Sequence, residues 1–178
     1  MKTILLTISI LLHSLVPSIS VNKQDGPGEV IYRVHSIYIY NFIKEIQWPD
    51  TYNNNNIVIG VLGSPEMEAE LKKMAAARTT SSRKITIKQF KSVAEVDKTC
   101  HILYLATEHS DGLSTVLQKV KGSSMLVITN KDGAAKFGSL INFVSEGGKP
   151  RFEMNLSAFE KSHLKYTQQL KTVAITVN

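Results

Sequence analysis

The sequence predicts an α/β fold: a single mixed, mostly parallel sheet with helices on both faces and a C-terminal β-hairpin, arranged as a three-layer sandwich. Three observations lead to this prediction. Short β-branched runs alternate with helical segments, which is typical of parallel strands joined by helices. Residues 57–62 are almost uniformly apolar, as in a strand that is covered on both faces. Residues 140–144 and 151–155 are strand-like and are separated by a Gly-Gly turn, which predicts the hairpin.

The positions of the individual elements follow from apolar spacing and from residues that begin or end helices. In residues 29–47 apolar side chains recur at three- and four-residue steps, which indicates a helix that Trp48 and Pro49 end. Ser64 followed by Pro65 is typical of a helix start. The predicted helices cover residues 29–47, 64–77, 110–120 and 167–177, with a helical turn at 132–137. The predicted strands cover residues 57–62, 84–90, 101–106, 124–129, 140–144 and 151–155.

Several boundaries depend on single side chains. Ser110 or Asp111 is expected to cap the helix that ends near residue 120. Ser157, with Glu160 three residues later, fits a capping box. β-branched residues leave the final turn of the last helix open between helix and strand. The asparagine tract at residues 53–56 is expected to be a loop.

The first 20 residues have the character of a secretory signal peptide. Lys2 precedes a short apolar run at residues 4–12, and small residues follow before position 20. A membrane anchor is the alternative, but the run is well short of the roughly 20 apolar residues that span a bilayer. We therefore expect a periplasmic protein with a signal peptide at 1–20, a flexible leader at 21–28 and one α/β domain at 29–178.

The charge of the chain is mildly basic. Residues 1–20 contain one Lys and no acid, so their removal lowers the formal net charge from +6 to +5. The Lys and Arg residues are scattered and are not interleaved with aromatic residues, which is typical of a solvated surface and argues against a nucleic-acid partner. Attraction to an anionic membrane surface stays open.

The chain contains one cysteine, Cys100, so no disulfide can form within it. Its side chain is expected to be a buried thiol, with a redox switch or a dimer link as alternatives. Cys100 and His101 are adjacent at the start of a predicted strand and are expected to point to opposite faces. His101 is then a core or edge histidine whose ring is satisfied by internal hydrogen bonds.

The residues that enzymes and metal sites require are not found in recognisable patterns. The histidines and Cys100 show no metal-ligand spacing, and no nucleophile motif occurs. Gly60 falls inside a predicted strand, so it does not belong to a phosphate-binding loop. We therefore predict a protein that is not an enzyme and that has no catalytic residue, metal or cofactor.

A small ligand, if one binds, is expected at the carboxyl ends of the parallel strands. Open α/β sheets bind ligands at this edge. Here the candidate segments are Gly63-Ser64, residues 107–109 and Thr129-Asn130. This position gives the alternative function, a periplasmic sensor module that binds a small molecule.

Two groups of residues are candidates for contact with a partner or ligand. Tyr32 and Tyr40 lie off the main apolar stripe of the first helix, so their rings are expected to be partly exposed. Arg151, Glu153 and Asn155 share the polar face of the last hairpin strand. This strip is either solvated and internally paired, or it helps to bind a partner. The first helix is also the expected interface of a possible homodimer.

The order of several short motifs resembles the YfiR-like (YfiR/HmsC-like) family of periplasmic regulatory proteins. These motifs are an aromatic first helix that ends in Trp48 and Pro49, the strand at 57–63, Cys100 with His101, Gly138 before Ile141-Asn142-Phe143, and the segment around Phe152. In this sequence His163 stands where the family commonly has glycine.

This resemblance implies a compact α/β domain that often dimerises. It also implies a non-enzymatic regulator that binds a membrane-bound signalling protein, such as the periplasmic domain of a diguanylate cyclase or sensor kinase. Such a regulator controls cyclic-di-GMP signalling and biofilm formation. Relatives are thought to sense redox state through disulfides, and the lone Cys100 departs from that pattern.

Overall fold

The computed structural model describes residues 26–52, 56–78 and 83–178. The predicted signal peptide at 1–20, most of the leader and residues 53–55 of the asparagine tract lie outside these ranges. In chain order the helices are α1 (Pro27–Glu45), α2 (Pro65–Ala77), α3 (Leu113–Lys119), α4 (Leu156–Lys161) and α5 (Gln168–Val173). The strands are β1 (Ile46–Gln47), β2 (Asn56–Leu62), β3 (Lys84–Phe90), β4 (Ile102–Leu105), β5 (Leu126–Thr129), β6 (Ile141–Glu146), β7 (Lys149–Asn155), β8 (Lys165–Tyr166) and β9 (Ile175–Val177).

Seven of the described strands form one sheet in the order β3-β2-β4-β5-β6-β7-β9. The first five of these pair in parallel, β6 and β7 form the antiparallel hairpin, and β9 adds a parallel edge beside β7. The predicted fold class is therefore confirmed. A second, two-stranded sheet joins β1 to β8.

The sheet is covered on both faces by apolar side chains. Helix α1 lies on one face and packs its aromatic residues against the hairpin, where the ring centroid of Phe42 is 5.0 Å from that of Phe152. Helix α3 lies on the other face, and its residue Leu117 lines a groove together with Val127 and Leu140. Strands β4 and β5, at the centre, are buried along their whole length.

The N-terminal boundary of α1 differs from the prediction. The helix begins at Pro27, so residues 27–28 belong to its first turn and not to the leader. Proline suits this position because its fixed φ is helical, and because an N–H group in the first turn would have no acceptor within the helix. The helix ends at Glu45, and the next two residues form β1.

Of the capping residues, Ser64 is confirmed and the other predicted caps are wrong. The Ser64 hydroxyl accepts from the Met67 N–H at 3.2 Å. Neither Ser110 nor Asp111 caps α3, because a tight helical turn at Thr107–Gly112 precedes the helix and the Ser110 hydroxyl donates back to Ala106.

The two C-terminal helices also differ in their limits. Asn155, not Ser157, caps α4, because its side chain accepts from the Ala158 N–H at 2.8 Å. The predicted last helix ends at Val173, and residues 175–177 form β9 instead. The β-branched residues there suit a strand, and β7 offers them a pairing edge.

Gly60 is required by the packing of the central sheet. A Cβ atom at this position would lie 2.6 Å from Phe90 Cε2 and 3.2 Å from Leu103 Cδ1. The ring of Phe90 therefore covers the place that a side chain would take.

We expect Gly60→Ala to lower the free energy of unfolding by about 1–3 kcal/mol, because the methyl group overpacks the core. Urea denaturation measures this change. Gly28→Ala is the control: it adds a methyl group to α1 where no atom lies within 4 Å, and helix propensity favours it by up to about 1 kcal/mol. Equal effects of the two substitutions would contradict this packing argument.

Candidate functional site

His101 connects three segments of the chain through its ring and its backbone. The Val58 N–H donates to Nδ1 at 3.2 Å, so Nε2 carries the proton and donates to the Tyr52 carbonyl at 2.9 Å. The Trp48 indole N–H donates to the His101 carbonyl at 3.2 Å. Burial lowers the pKa of His101, which keeps the ring neutral. His101 is thus a satisfied core histidine, and Trp48 is held in place by it.

The turn after Trp48 positions Tyr52 beside this histidine. The Tyr52 N–H donates to the Pro49 carbonyl at 2.8 Å, which closes the turn. The Tyr52 hydroxyl donates to the Lys98 carbonyl and accepts from the Ser124 N–H. The family-motif residues Trp48 and Pro49 therefore connect the segment that follows α1 to the start of β4.

Cys100 is fully buried and has a free thiol. Burial raises its pKa to about 11, so the thiol is protonated at neutral pH. A protonated, buried thiol agrees with the expectation from the sequence, and a sulfur atom without solvent exposure is not accessible to a partner's cysteine.

The polar face of β7 is paired within the molecule. Arg151 forms an ion pair with Glu146 at 3.0 Å. The Asn142 side-chain amide donates to Glu153 Oε2 at 2.9 Å, while Asn142 Oδ1 accepts from the buried Thr129 hydroxyl at 2.8 Å. These contacts correspond to the internally paired alternative for the strip, and they fix the register of β5, β6 and β7.

Asn155 joins the end of β7 to two neighbouring elements. Its amide nitrogen donates to the Ala135 carbonyl at 2.6 Å, in the turn Ala134–Phe137. Its amide oxygen caps α4. Gly138, which ends that turn, has φ of +105°, and a Cβ atom there would lie 2.9 Å from Leu117 Cδ1. Asn155 and Gly138 thus hold one turn in a fixed position.

The two tyrosines predicted as contact residues are half-buried by their neighbours. The Arg78 guanidinium lies 4.3 Å from the centroid of the Tyr40 ring. The Tyr32 ring packs edge-on against His35, with centroids 6.3 Å apart. The exposed apolar residues of α1 are instead Val30 and Ile37.

Phe137 is an exposed aromatic residue that the sequence analysis did not single out. Its side chain is 78% exposed, the largest value among the exposed large apolar residues of the described chain. The sequence shows only an apolar residue between Lys136 and Gly138. The segment is too short for apolar periodicity to indicate whether this side chain is buried or exposed.

The predicted ligand crevice at the carboxyl ends of the strands is occupied by side chains. The ring of His109 lies against Gly63, so close that a Cβ atom on Gly63 would be 2.6 Å from His109 Cδ2. The Thr107 hydroxyl lies 2.9 Å from Asn130 Oδ1 and joins the ends of β4 and β5. This filling argues against a small-molecule site at that edge.

Two clefts lie at the opposite edge of the sheet. One of about 610 Å³ borders Trp48 and His101 near the amino ends of β2 and β3. The other, of about 510 Å³, lies beside Tyr52 and His101. Within residues 26–52, 56–78 and 83–178, no group of three His, Cys, Asp or Glu side chains is placed to hold a metal ion.

His35 is a buried titratable group in the interface between α1 and the sheet. Its ring stacks on Phe143 with centroids 3.9 Å apart, and its Nδ1 has no hydrogen-bond partner among the described residues. The same holds for the hydroxyl of buried Tyr104, which also neighbours Phe143. Burial lowers the pKa of His35 to about 4.

This lowered pKa predicts a loss of stability in mild acid. The unfolded chain binds a proton below about pH 6.5 that the folded chain does not bind until about pH 4. The contribution of His35 is therefore complete above pH 6.5 and is lost as the pH falls to 4, by roughly 3 kcal/mol. Urea denaturation across this range should show a flatter profile for His35→Phe. The exposed His163→Gln serves as the control and should keep the wild-type profile.

Removal of the His101 ring should destabilise the fold. His101→Ala leaves the buried Val58 N–H without its acceptor, and we expect a loss of roughly 2–4 kcal/mol in the free energy of unfolding. His163→Ala, at an exposed position, should change it by less than about 0.5 kcal/mol. Thermal and urea unfolding measure both, and similar stabilities of the two variants would rule out a stabilising role for the hydrogen bonds of the His101 ring.

Comparisons with solved structures show the likeness of the fold. A conserved domain protein from Vibrio cholerae O1 biovar eltor is 9% identical, with a TM-score of 0.53 over 83% of this chain and 60% of that one. The ABC domain from Streptococcus pneumoniae, solved in complex with L-Trp, is 13% identical, with a TM-score of 0.54 over 78% of this chain and 58% of that one. The chain thus spans about 60% of the length of each.

No curated protein matches the sequence. In the part of the chain that the structure describes, none of the helices combines the length and apolar character that crossing a bilayer requires. A family model described as YfiR/HmsC-like matches residues 32–174, which include most of α1 and every strand of the central sheet except β9. The chain therefore belongs to the YfiR/HmsC-like family.

Proposed function

We propose that this protein is a non-enzymatic periplasmic regulator that binds a membrane-bound diguanylate cyclase and lowers its output. The observation that carries the proposal is the family match over residues 32–174, since the family is known for periplasmic regulators of such cyclases. The predicted signal peptide at 1–20 would deliver the chain to the compartment where the cyclase's sensing domain lies.

The use of polar side chains within the domain supports a role in recognition. Arg151, Glu153 and Asn155 pair with other residues of the same chain, and His101 is satisfied and neutral. Exposed apolar side chains are found instead at Val30, Ile37, Phe137 and Val173. Of these, Phe137 borders an apolar groove, and an exposed aromatic side chain in such a place is commonly a contact for another protein.

Deletion of the gene in the source organism should raise cellular cyclic-di-GMP and increase biofilm mass. Mass spectrometry and crystal-violet staining measure the two quantities. Expression of the full chain should restore both to wild-type values, whereas a chain that lacks residues 2–20 should restore neither, because it is not exported. Unchanged cyclic-di-GMP after deletion would exclude the proposed function, and complementation by the shortened chain would exclude the periplasmic site of action.

A further inference from the structure

A groove of about 720 Å³ lies on the α3 face of the sheet, between α3, the turn Ala134–Phe137 and α4. Its floor is apolar and is formed by side chains from α3, from α4 and from the segments that adjoin α3, β5 and β6. The floor residues are Leu117, Val120, Met125, Leu140 and Ala158. We refer to this surface as the lysine-rimmed groove.

Three lysines, Lys121, Lys136 and Lys161, give the groove its charge. None of the described residues that line it is Asp or Glu. Four other lysines of the described chain, Lys72, Lys73, Lys88 and Lys131, have acidic partners. No described carboxylate pairs with the three groove lysines. The three lysine side chains therefore place positive charge on the rim, and none of them has an ion-pair partner among the described residues.

Phe137 extends the apolar surface of the groove into solvent. It lies on the turn that Asn155 holds through the Ala135 carbonyl, and Gly133 and Gly138 flank this turn with φ of +76° and +105°. The ring is 78% exposed although its backbone is fixed. Because the backbone is already fixed, binding has to order only the side-chain torsions of Phe137, which limits the cost in conformational entropy.

We infer that the lysine-rimmed groove binds an acidic, amphipathic segment of the membrane signalling protein. Apolar side chains of that segment cover the floor and Phe137, and its carboxylates meet the three lysines. A concave floor between α3 and α4 suits an inserted peptide better than a flat lipid surface, which leaves the floor uncovered. The inference rests on the proposed function and assigns the surface through which it acts.

The test measures binding of the exported, purified protein to the detergent-solubilised diguanylate cyclases of the source organism. Phe137→Ala and the double change Lys136→Glu with Lys161→Glu should each weaken binding at least tenfold. Rising salt should weaken wild-type binding, because the contact includes charge pairs. Two controls at exposed positions outside the groove, Val173→Ala and Lys165→Glu, should bind as the wild type does. Thermal unfolding should show that all four variants are folded.

The possible outcomes separate the inference from the function on which it rests. If the wild type binds a cyclase and the groove variants bind equally well, the groove is not the contact surface, and the proposed function stands. If the wild type binds none of the cyclases, both fail. Vesicles of phosphatidylglycerol and phosphatidylethanolamine form the second arm. Loss of vesicle binding in the groove variants, with cyclase binding intact, would assign the groove to a bilayer surface and overturn the inference.

Discussion

The aromatic contact between α1 and the hairpin is the interaction on which the rest of the structure depends. Phe42 packs against Phe143 and Phe152, and the Tyr38 hydroxyl donates to the Pro150 carbonyl. This contact joins the first helix to strands that lie about one hundred residues later in the chain. It buries Phe143 and Phe152 on one face of the hairpin, and the polar side chains of β7 pair with other residues on the opposite face.

Those partners determine the geometry of the surface on the other side of the sheet. Asn142 connects Thr129 to Glu153, and Asn155 connects the end of β7 to the turn that carries Phe137. The Thr129 hydroxyl also bonds to that of Ser139, whose N–H donates to the Ala134 carbonyl, so hydrogen bonds connect β5, β6 and β7 to the turn beside the lysine-rimmed groove. Because buried polar groups are costly when unpaired, each of these bonds holds its neighbours to one arrangement.

The sequence was sufficient for features that depend on local spacing. Apolar periodicity located α1 and the buried strands, and Ser64 before Pro65 marked the start of α2. The prediction that Ser157 caps a helix was wrong because a capping box is a pattern of only four residues. Asn155 caps α4 instead, and its side chain also bonds to the distant Ala135 carbonyl. The partners of His101 lie 43 and 49 residues away along the chain, so periodicity carries no information about them. The exposure of Phe137 depends on two flanking glycines and on the packing of α3, which are likewise tertiary features.

In the turn around Phe137, the contacts that fix the backbone do not involve the side chain that faces solvent. Asn155 and the two glycines act on main-chain atoms, and the ring itself makes little contact with the domain. Replacement of the side chain at this position therefore alters the displayed surface while the backbone trace persists. A substitution at this exposed position is therefore expected to cost little folding stability, a freedom that the buried positions of the hairpin do not have.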